Sequence, residues 1–270
     1  MDFVIFGVLW IGLSALGEWG LHVLFWHHDP WYFMISRQGA IGLDAFKFLS
    51  IWLLPIWILV VLFVVYGLLR FRAPDDRPLA SRSQTMHHRG FITFWVGGSI
   101  LVNLLFWIHP TVVGLEQLMN GMRPSANRHD LVVDVTARQW EWIFSYPQYH
   151  ITQAVNGHGF DLLEIPVNRK VQFVLRSYDP FHTYDVNAAV IHSFWVPAFG
   201  LKEDIIPGET RYEYITATRT ATYATNPMVR VQCAEVCGPG HPWMEAPINV
   251  VTARQFQAWV HQEQATESAT

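Results

Sequence analysis

Two stretches of this 270-residue chain, Phe48–Leu69 and Phe91–Val113, contain no Asp, Glu, Lys or Arg. A third, Phe3–Trp26, is interrupted only by Glu18 and His22. Each is long enough for a helix crossing about 30 Å of hydrocarbon. Residues 1–113 are therefore expected to be a membrane anchor with spans over 3–26, 48–69 and 91–113. Charge becomes frequent only after them. The chain is 51% hydrophobic, with 13 Trp and 18 Phe, yet carries enough charge for a substantial water-exposed part.

The basic residues orient the anchor. The link between the second and third spans carries Arg70, Arg72, Arg77, Arg82 and Arg89, whereas the first link has only Arg37 and Lys47. The positive-inside rule puts the five-arginine link in the cytoplasm. The expected amino terminus is then cytoplasmic, and everything from about residue 114 lies on the outer, periplasmic side of a cell inner membrane. The start, Met-Asp-Phe, lacks the basic region of a signal peptide, and the apolar run is too long for one, so the first span reads as a retained helix. Glu18 and His22 sit one turn apart near its outer end. Intramembrane ionisable groups are functional candidates, but an interfacial position favours a structural role.

The outer part reads as β. Leu131–Thr136, Val171–Ser177 and Glu209–Ile215 alternate apolar or β-branched residues near period two, and Pro147, Pro166, Pro207-Gly208 and Pro227 punctuate the segments between. Short strands with turns at that spacing predict a two-sheet sandwich. A closing helix is expected over roughly Arg254–Gln264, capped by Thr252 and burying Phe256, Trp259 and Val260. No internal repeat is present.

Cys233-Ala-Glu-Val-Cys237-Gly-Pro-Gly-His241-Pro-Trp-Met244 places two thiols, an imidazole and a thioether on one short loop. Soft thiolate and thioether donors select copper, zinc or iron–sulfur, and an imidazole beside a weak Met points to copper. A mononuclear blue-copper loop needs one Cys, so a second at this spacing suggests two thiolates bridging two coppers. That arrangement needs a second terminal imidazole, which His192 in Val-Ile-His-Ser-Phe-Trp-Val-Pro offers. A Cys2His2 zinc site would use the same donors but leave Met244 without a role. A disulfide between the chain's only two cysteines would make the spacing of His241 and Met244 a coincidence.

This loop, the run His192-Ser-Phe-Trp-Val-Pro-Ala-Phe-Gly-Leu-Lys-Glu-Asp-Ile-Ile-Pro-Gly and Gln139-Trp140-Glu-Trp142 together resemble subunit II of cytochrome c oxidase. With the anchor before them they cover roughly residues 48–262. The resemblance implies an α + β membrane protein: N-terminal transmembrane helices, a linker over 114–130, an all-β cupredoxin-like barrel with a C-terminal helix over 131–264, and a polar tail over 265–270. It implies a binuclear copper (CuA) centre bridged by Cys233 and Cys237 and terminated by His192 and His241. Met244 and the Glu235 backbone carbonyl are the weak axial ligands, and the Glu235 carboxylate reaches a magnesium ion shared with subunit I. Trp140 is implied as the entry point for electrons from cytochrome c or another external donor. Haem, and the reduction of oxygen coupled to proton translocation, belong to the partner subunit I. The implied partners are subunit I, other oxidase subunits, the donor and the lipid bilayer, with no nucleic acid.

Several positions depart from the family pattern. Ala189 stands where an Asp is usual, three residues before His192. About ten residues are inserted from Tyr178 to Asn187, including Asp179, His182, Tyr184 and Asp185, and Glu141 replaces a common aromatic. Near Trp95 the chain reads Phe91-Ile92-Thr93 where the family often has a proton-path Glu, leaving His88 as a weak substitute. Most members have two anchor helices, so the first span is extra. From Gly114 onward 16 Asp/Glu stand against 11 Lys/Arg, a net of −5, a mildly acidic face suited to a basic carrier. A quinol oxidase subunit II would lack the copper donors. A nitric oxide reductase with a similar copper domain, or a membrane-anchored copper carrier, would retain them.

Overall fold

A computed structural model describes residues 2–26, 34–72, 89–125, 129–151, 162–179 and 190–267. Arg77, Arg82, His88, His182, Tyr184, Asp185 and Ala189 lie outside the described residues. The chain divides into two compact units, Met1–Pro30 with Asp44–Glu116, and Trp31–Leu43 with Gln117–Thr270.

The first unit is helical. Helix α1 covers Asp2–Leu21, α2 Arg37–Arg70, α3 Arg89–Phe106 and α4 Val113–Gly121. The helical segments Asp2–Leu24, Arg37–Arg70 and Arg89–Gly121 are long and apolar enough to cross a membrane. Helix α1 runs antiparallel to α2. The Asp2 carboxylate accepts from Tyr66 and from Arg70, each at 3.0 Å, and Trp10 Nε1 donates to the Pro55 carbonyl at 2.8 Å. Gly17 lets the helices approach, since a Cβ there would stand 3.0 Å from Leu54 Cδ2. The third span, expected as a helix over 91–113, is broken by a π-helical turn over Trp107–Val112, where His109 is non-helical ahead of Pro110. Proline removes an N–H and crowds the preceding turn, which accounts for the kink.

The second unit is a β sandwich. One sheet has the order β2-β1-β4-β7, formed by Leu131–Arg138 (β1), Glu141–Ser145 (β2), Lys170–Ser177 (β4) and Arg211–Thr216 (β7). The other runs β3-β10-β9-β5-β6, from Leu163–Pro166 (β3), His192–Val196 (β5), Leu201–Ile205 (β6), Arg230–Cys233 (β9) and Glu245–Val251 (β10), with Ala221–Thr222 (β8) on β10. Strand β1 shows the period-two logic plainly: Leu131, Val133, Val135 and Ala137 point inward and are buried. They meet Phe173, Phe194, Val231 and Ile248 in one core.

Helix α5, Ala253–Glu267, closes the domain. Its start is a capping box, with the Gln255 amide donating to Thr252 Oγ1 while Thr252 N–H donates back to Gln255 Oε1. Phe256 and Val260 are buried, and Trp259 is partly so, edge-on to Tyr146 at 5.0 Å. One feature was invisible to periodicity. Ile35 and Ser36, read as a bare link between spans, add to the β domain. Ile35 donates to Ala198 O and accepts from Thr218 N–H, each at 2.8 Å, and its side chain is buried.

Candidate metal centre

Three strand ends converge to build the site. His192 opens β5 and Cys233 closes β9, and the register Phe194↔Cys233 sets those ends side by side. Cys237 follows in the loop. His241 begins a short 3-10 turn, His241–Trp243, that delivers Met244 to the start of β10. The loop is pinned at its base, where Cys233 N–H donates to Met244 O at 3.0 Å and Ala234 N–H donates to Ser193 O at 3.1 Å.

The donors form a continuous cluster. Cys233 Sγ lies 3.8 Å from His192 Nδ1 and 3.7 Å from Cys237 Sγ. Cys237 Sγ lies 3.6 Å from His241 Nδ1 and 3.7 Å from Met244 Sδ. The Glu235 carbonyl accepts from Cys233 Sγ at 3.2 Å, while the Glu235 carboxylate side is exposed. The sulfurs are far beyond the roughly 2.0 Å of a disulfide, and both thiols are free. The ligand atoms of His192, Cys233 and Cys237, all three buried, lie within 4.8 Å of one another.

Burial holds the donor groups in their neutral forms. Burial, then the nearby His241, pushes the His192 imidazole down to about 4, so it is held neutral with a free lone pair. Burial, then the neighbouring Cys233, pushes the Cys237 thiol up to about 12. A bound metal ion supplies the positive charge that lets buried thiols ionise. Two thiols, two imidazoles, a thioether and a carbonyl within these distances fit a soft, thiophilic metal. Met244 is 1% exposed and touches Cys237, a placement that a four-donor zinc site would not call for.

The two tryptophans of the Gln139–Trp142 motif part company. Trp142 is buried, donates from Nε1 to Met244 O at 3.2 Å, and meets Phe194 edge-on at 5.7 Å. Trp140 is 41% exposed on the turn between β1 and β2, and its Nε1 donates to Cys237 O at 3.1 Å. The contacts of three neighbours escaped the sequence reading. Gln139 Nε2 also donates to Cys237 O, at 2.7 Å, and Gly238 and Gly240 lie against the Trp140 ring. The motif Cys-Gly-Pro-Gly-His carried a signal for the latter, because glycines flanking a ligand mark a close approach. Val236 and Trp243, 78% and 77% exposed, also went unremarked.

A cupredoxin-like sandwich whose β9–β10 loop gathers thiol, imidazole and thioether donors, with His192 beside them, defines a domain with a candidate soft-metal site. Residues 131–252 match the sequence model of the cytochrome C oxidase subunit II periplasmic domain. The domain spanning them belongs to that family, and the family implies a copper centre at the donors described. Cytochrome c oxidase subunit 2 of Thermostichus vulcanus is 43% identical over 52% of this chain and 36% of its own length. The matched segment is thus about a third of that relative. The alternative cytochrome c oxidase subunit 2 of Bradyrhizobium diazoefficiens is 24% identical over 93% of this chain and 89% of its own. The crystal structure of the periplasmic domain of subunit II of cytochrome oxidase from Bradyrhizobium japonicum shares 28% identity, covering 51% of this chain and 96% of that one at a TM-score of 0.41. With its apolar helices and this domain, the chain is a membrane-anchored protein.

Proposed function

We propose that this chain is subunit II of a respiratory haem–copper terminal oxidase. It accepts electrons one at a time from an external carrier, cytochrome c or another periplasmic donor, and passes them to haem in subunit I, where oxygen is reduced to water and protons cross the membrane. The observation that carries this is the donor cluster, in which Cys233 meets His192 and Cys237, and Cys237 in turn meets His241 and Met244, each pair 3.6–3.8 Å apart. Two copper ions held between the thiolates would supply a one-electron couple whose charge is shared, so that little geometry changes on reduction. His192 and His241 would each hold one metal, and Met244 and the Glu235 carbonyl would be the weaker ligands that tune the potential. The exposed Glu235 carboxylate is free to reach a magnesium ion shared with subunit I. Trp140, half in solvent and bonded to the Cys237 backbone, is the entry for electrons. We keep residues 1–113 as the anchor, 114–130 as linker and 131–264 as the outer domain, with the amino terminus cytoplasmic and the copper on the periplasmic side.

The test uses the full chain purified with its partners in detergent. Two copper ions per chain are expected, with one unpaired electron shared equally between two copper nuclei in paramagnetic resonance. A single copper, or a one-nucleus hyperfine pattern, sinks the binuclear assignment. Cys233→Ser removes a bridging thiolate and is expected to abolish the signal. Identifying the co-purifying haem subunit separates an oxidase from a copper-bearing nitric oxide reductase, and finding no haem partner would leave a membrane-anchored copper carrier.

A further inference from the structure

The turn between β1 and β2 packs on the metal loop. The Cys237 carbonyl oxygen accepts two side-chain hydrogen bonds, from Gln139 Nε2 at 2.7 Å and Trp140 Nε1 at 3.1 Å. On either side of Pro239 the loop presents a glycine to the indole. A Cβ on Gly238 would stand 3.1 Å from Trp140 Cζ2 and 3.2 Å from Gln139 Nε2. One on Gly240 would fall inside the ring, overlapping Cδ2 and Cγ and lying 2.7 Å from Cε3. Gly238 also has φ +117°, a conformation that side-chain-bearing residues rarely adopt. Gly240 has no such backbone requirement, so what excludes a side chain there is the indole alone.

We propose that Gln139 and Gly240 are positioning residues that latch the indole of Trp140 onto the metal loop: Gln139 fixes the Cys237 carbonyl, and Gly240 leaves the berth in which the ring lies flat. This rests on Trp140 being the electron entry. The amide and the indole share one acceptor, so each holds the same loop atom against the other's displacement. The ring face rests on backbone, which brings it against the residue preceding His241 without an intervening side chain. Groups of this kind orient ligands without binding the metal.

The experiment reads the latch in two ways. In the metal-free full chain, labelled with 5-fluorotryptophan in detergent, the Trp140 fluorine resonance is the one lost in Trp140→Phe. Gly240→Ala is expected to shift it. Gly42→Ala, where an added Cβ meets nothing within 4 Å, is expected to leave it alone. In the copper-loaded complex, Gly240→Ala is expected to slow reduction by the protein donor by at least about tenfold, since misplacement by ~1 Å can cost that much or more. Reduction by a small artificial reductant stays at the parent rate. Gln139→Glu keeps the shape but turns the donor into an anion facing a carbonyl. It is expected to hasten stripping of copper by a chelator by about 10–100-fold and to alter the copper hyperfine pattern. An unmoved fluorine resonance in Gly240→Ala, or parent-like copper retention in Gln139→Glu, overturns the proposal. The fluorine measurement needs no metal, so the latch is tested even if the centre proves not to be binuclear copper.

Discussion

In the anchor, Phe3, Phe94 and Leu69 leave 95%, 75% and 70% of their surface uncovered, whereas Phe173, Phe194 and Leu163 of the outer domain leave none. The two regions use the same side chains and turn them in opposite directions. In water, removing apolar surface is the main favourable term in folding, worth about 25 cal/mol per Å². The β domain satisfies it internally. The anchor helices meet through a few specific contacts, such as Trp10 with Pro55 and Asp2 with Tyr66 and Arg70, and leave many of their apolar side chains uncovered. An exposed Phe therefore means different things in the two regions.

The largest expected difference comes from truncating one ring in each. Phe173→Ala opens a cavity in a closed core and is expected to cost about 3–5 kcal/mol, seen as a lowered unfolding midpoint of the outer domain. Phe94→Ala on the uncovered face of α3 is expected to change stability by no more than about 0.5 kcal/mol. A comparable loss from Phe94→Ala would break the contrast and mark that face as packed on a partner.

A charge sharpens the comparison in the other direction. Val60→Asp, in the middle of α2, is expected to oppose insertion by about 2.5–3.5 kcal/mol and lower the membrane-bound fraction on cell fractionation. Val60 is 53% exposed, and so is Tyr212 on β7, at 54%. Tyr212→Asp is expected to be near neutral, within about 0.5 kcal/mol. If both substitutions behave alike, equal exposure means equal solvent, and α2 does not cross a membrane.

The apolar runs predicted the helical segments because length without charge is a one-dimensional signal. Three strands of one sheet, β1, β4 and β7, were readable from alternation, as Leu131 to Ala137 show at period two, whereas the strands of the facing sheet were not. The metal donors came from spacing on a single loop, and His192 from the need of two bridged metals for a second terminal imidazole. What escaped depends on contacts between distant residues. Ile35 pairs with Ala198 and Thr218, some 160–180 positions away, and its neighbours carry no β pattern. Gln139 is an ordinary polar residue until the fold brings it to the Cys237 carbonyl, 98 residues on. The kink at His109–Pro110 was signalled by the proline, but hydropathy alone marked a single span over 91–113.

The smallest expected effect concerns charge buried in the outer domain. Glu164 and Glu213 are 5% and 6% exposed, and Glu164 Oε2 has no hydrogen-bond partner. Burial, opposed for Glu164 by a hydrogen bond to Asn249 and reinforced by Glu263, pushes its carboxyl up to about 7. Burial and then Glu203 push Glu213 up to about 7 as well. Their unfolded value is 4.5. Between these limits the native state holds protons that the unfolded chain has released, so stability falls as pH rises through the window. Below about 4.5 both states are protonated and the penalty vanishes. At 1.36 kcal/mol per unit, reduced for residual hydration, each acid is expected to cost roughly 1–3 kcal/mol above pH 7. Glu164→Gln cannot ionise. The difference in unfolding free energy between pH 4.5 and 7.5, measured on metal-free protein, where the His192 titration is common to parent and variant and cancels, is expected to shrink by that amount. The slope is the readout, because the amide's own packing shifts stability equally at both pH values. An unchanged slope would show that water reaches Glu164, and that the seal of the β core, on which the contrast with the anchor depends, is incomplete beneath α5.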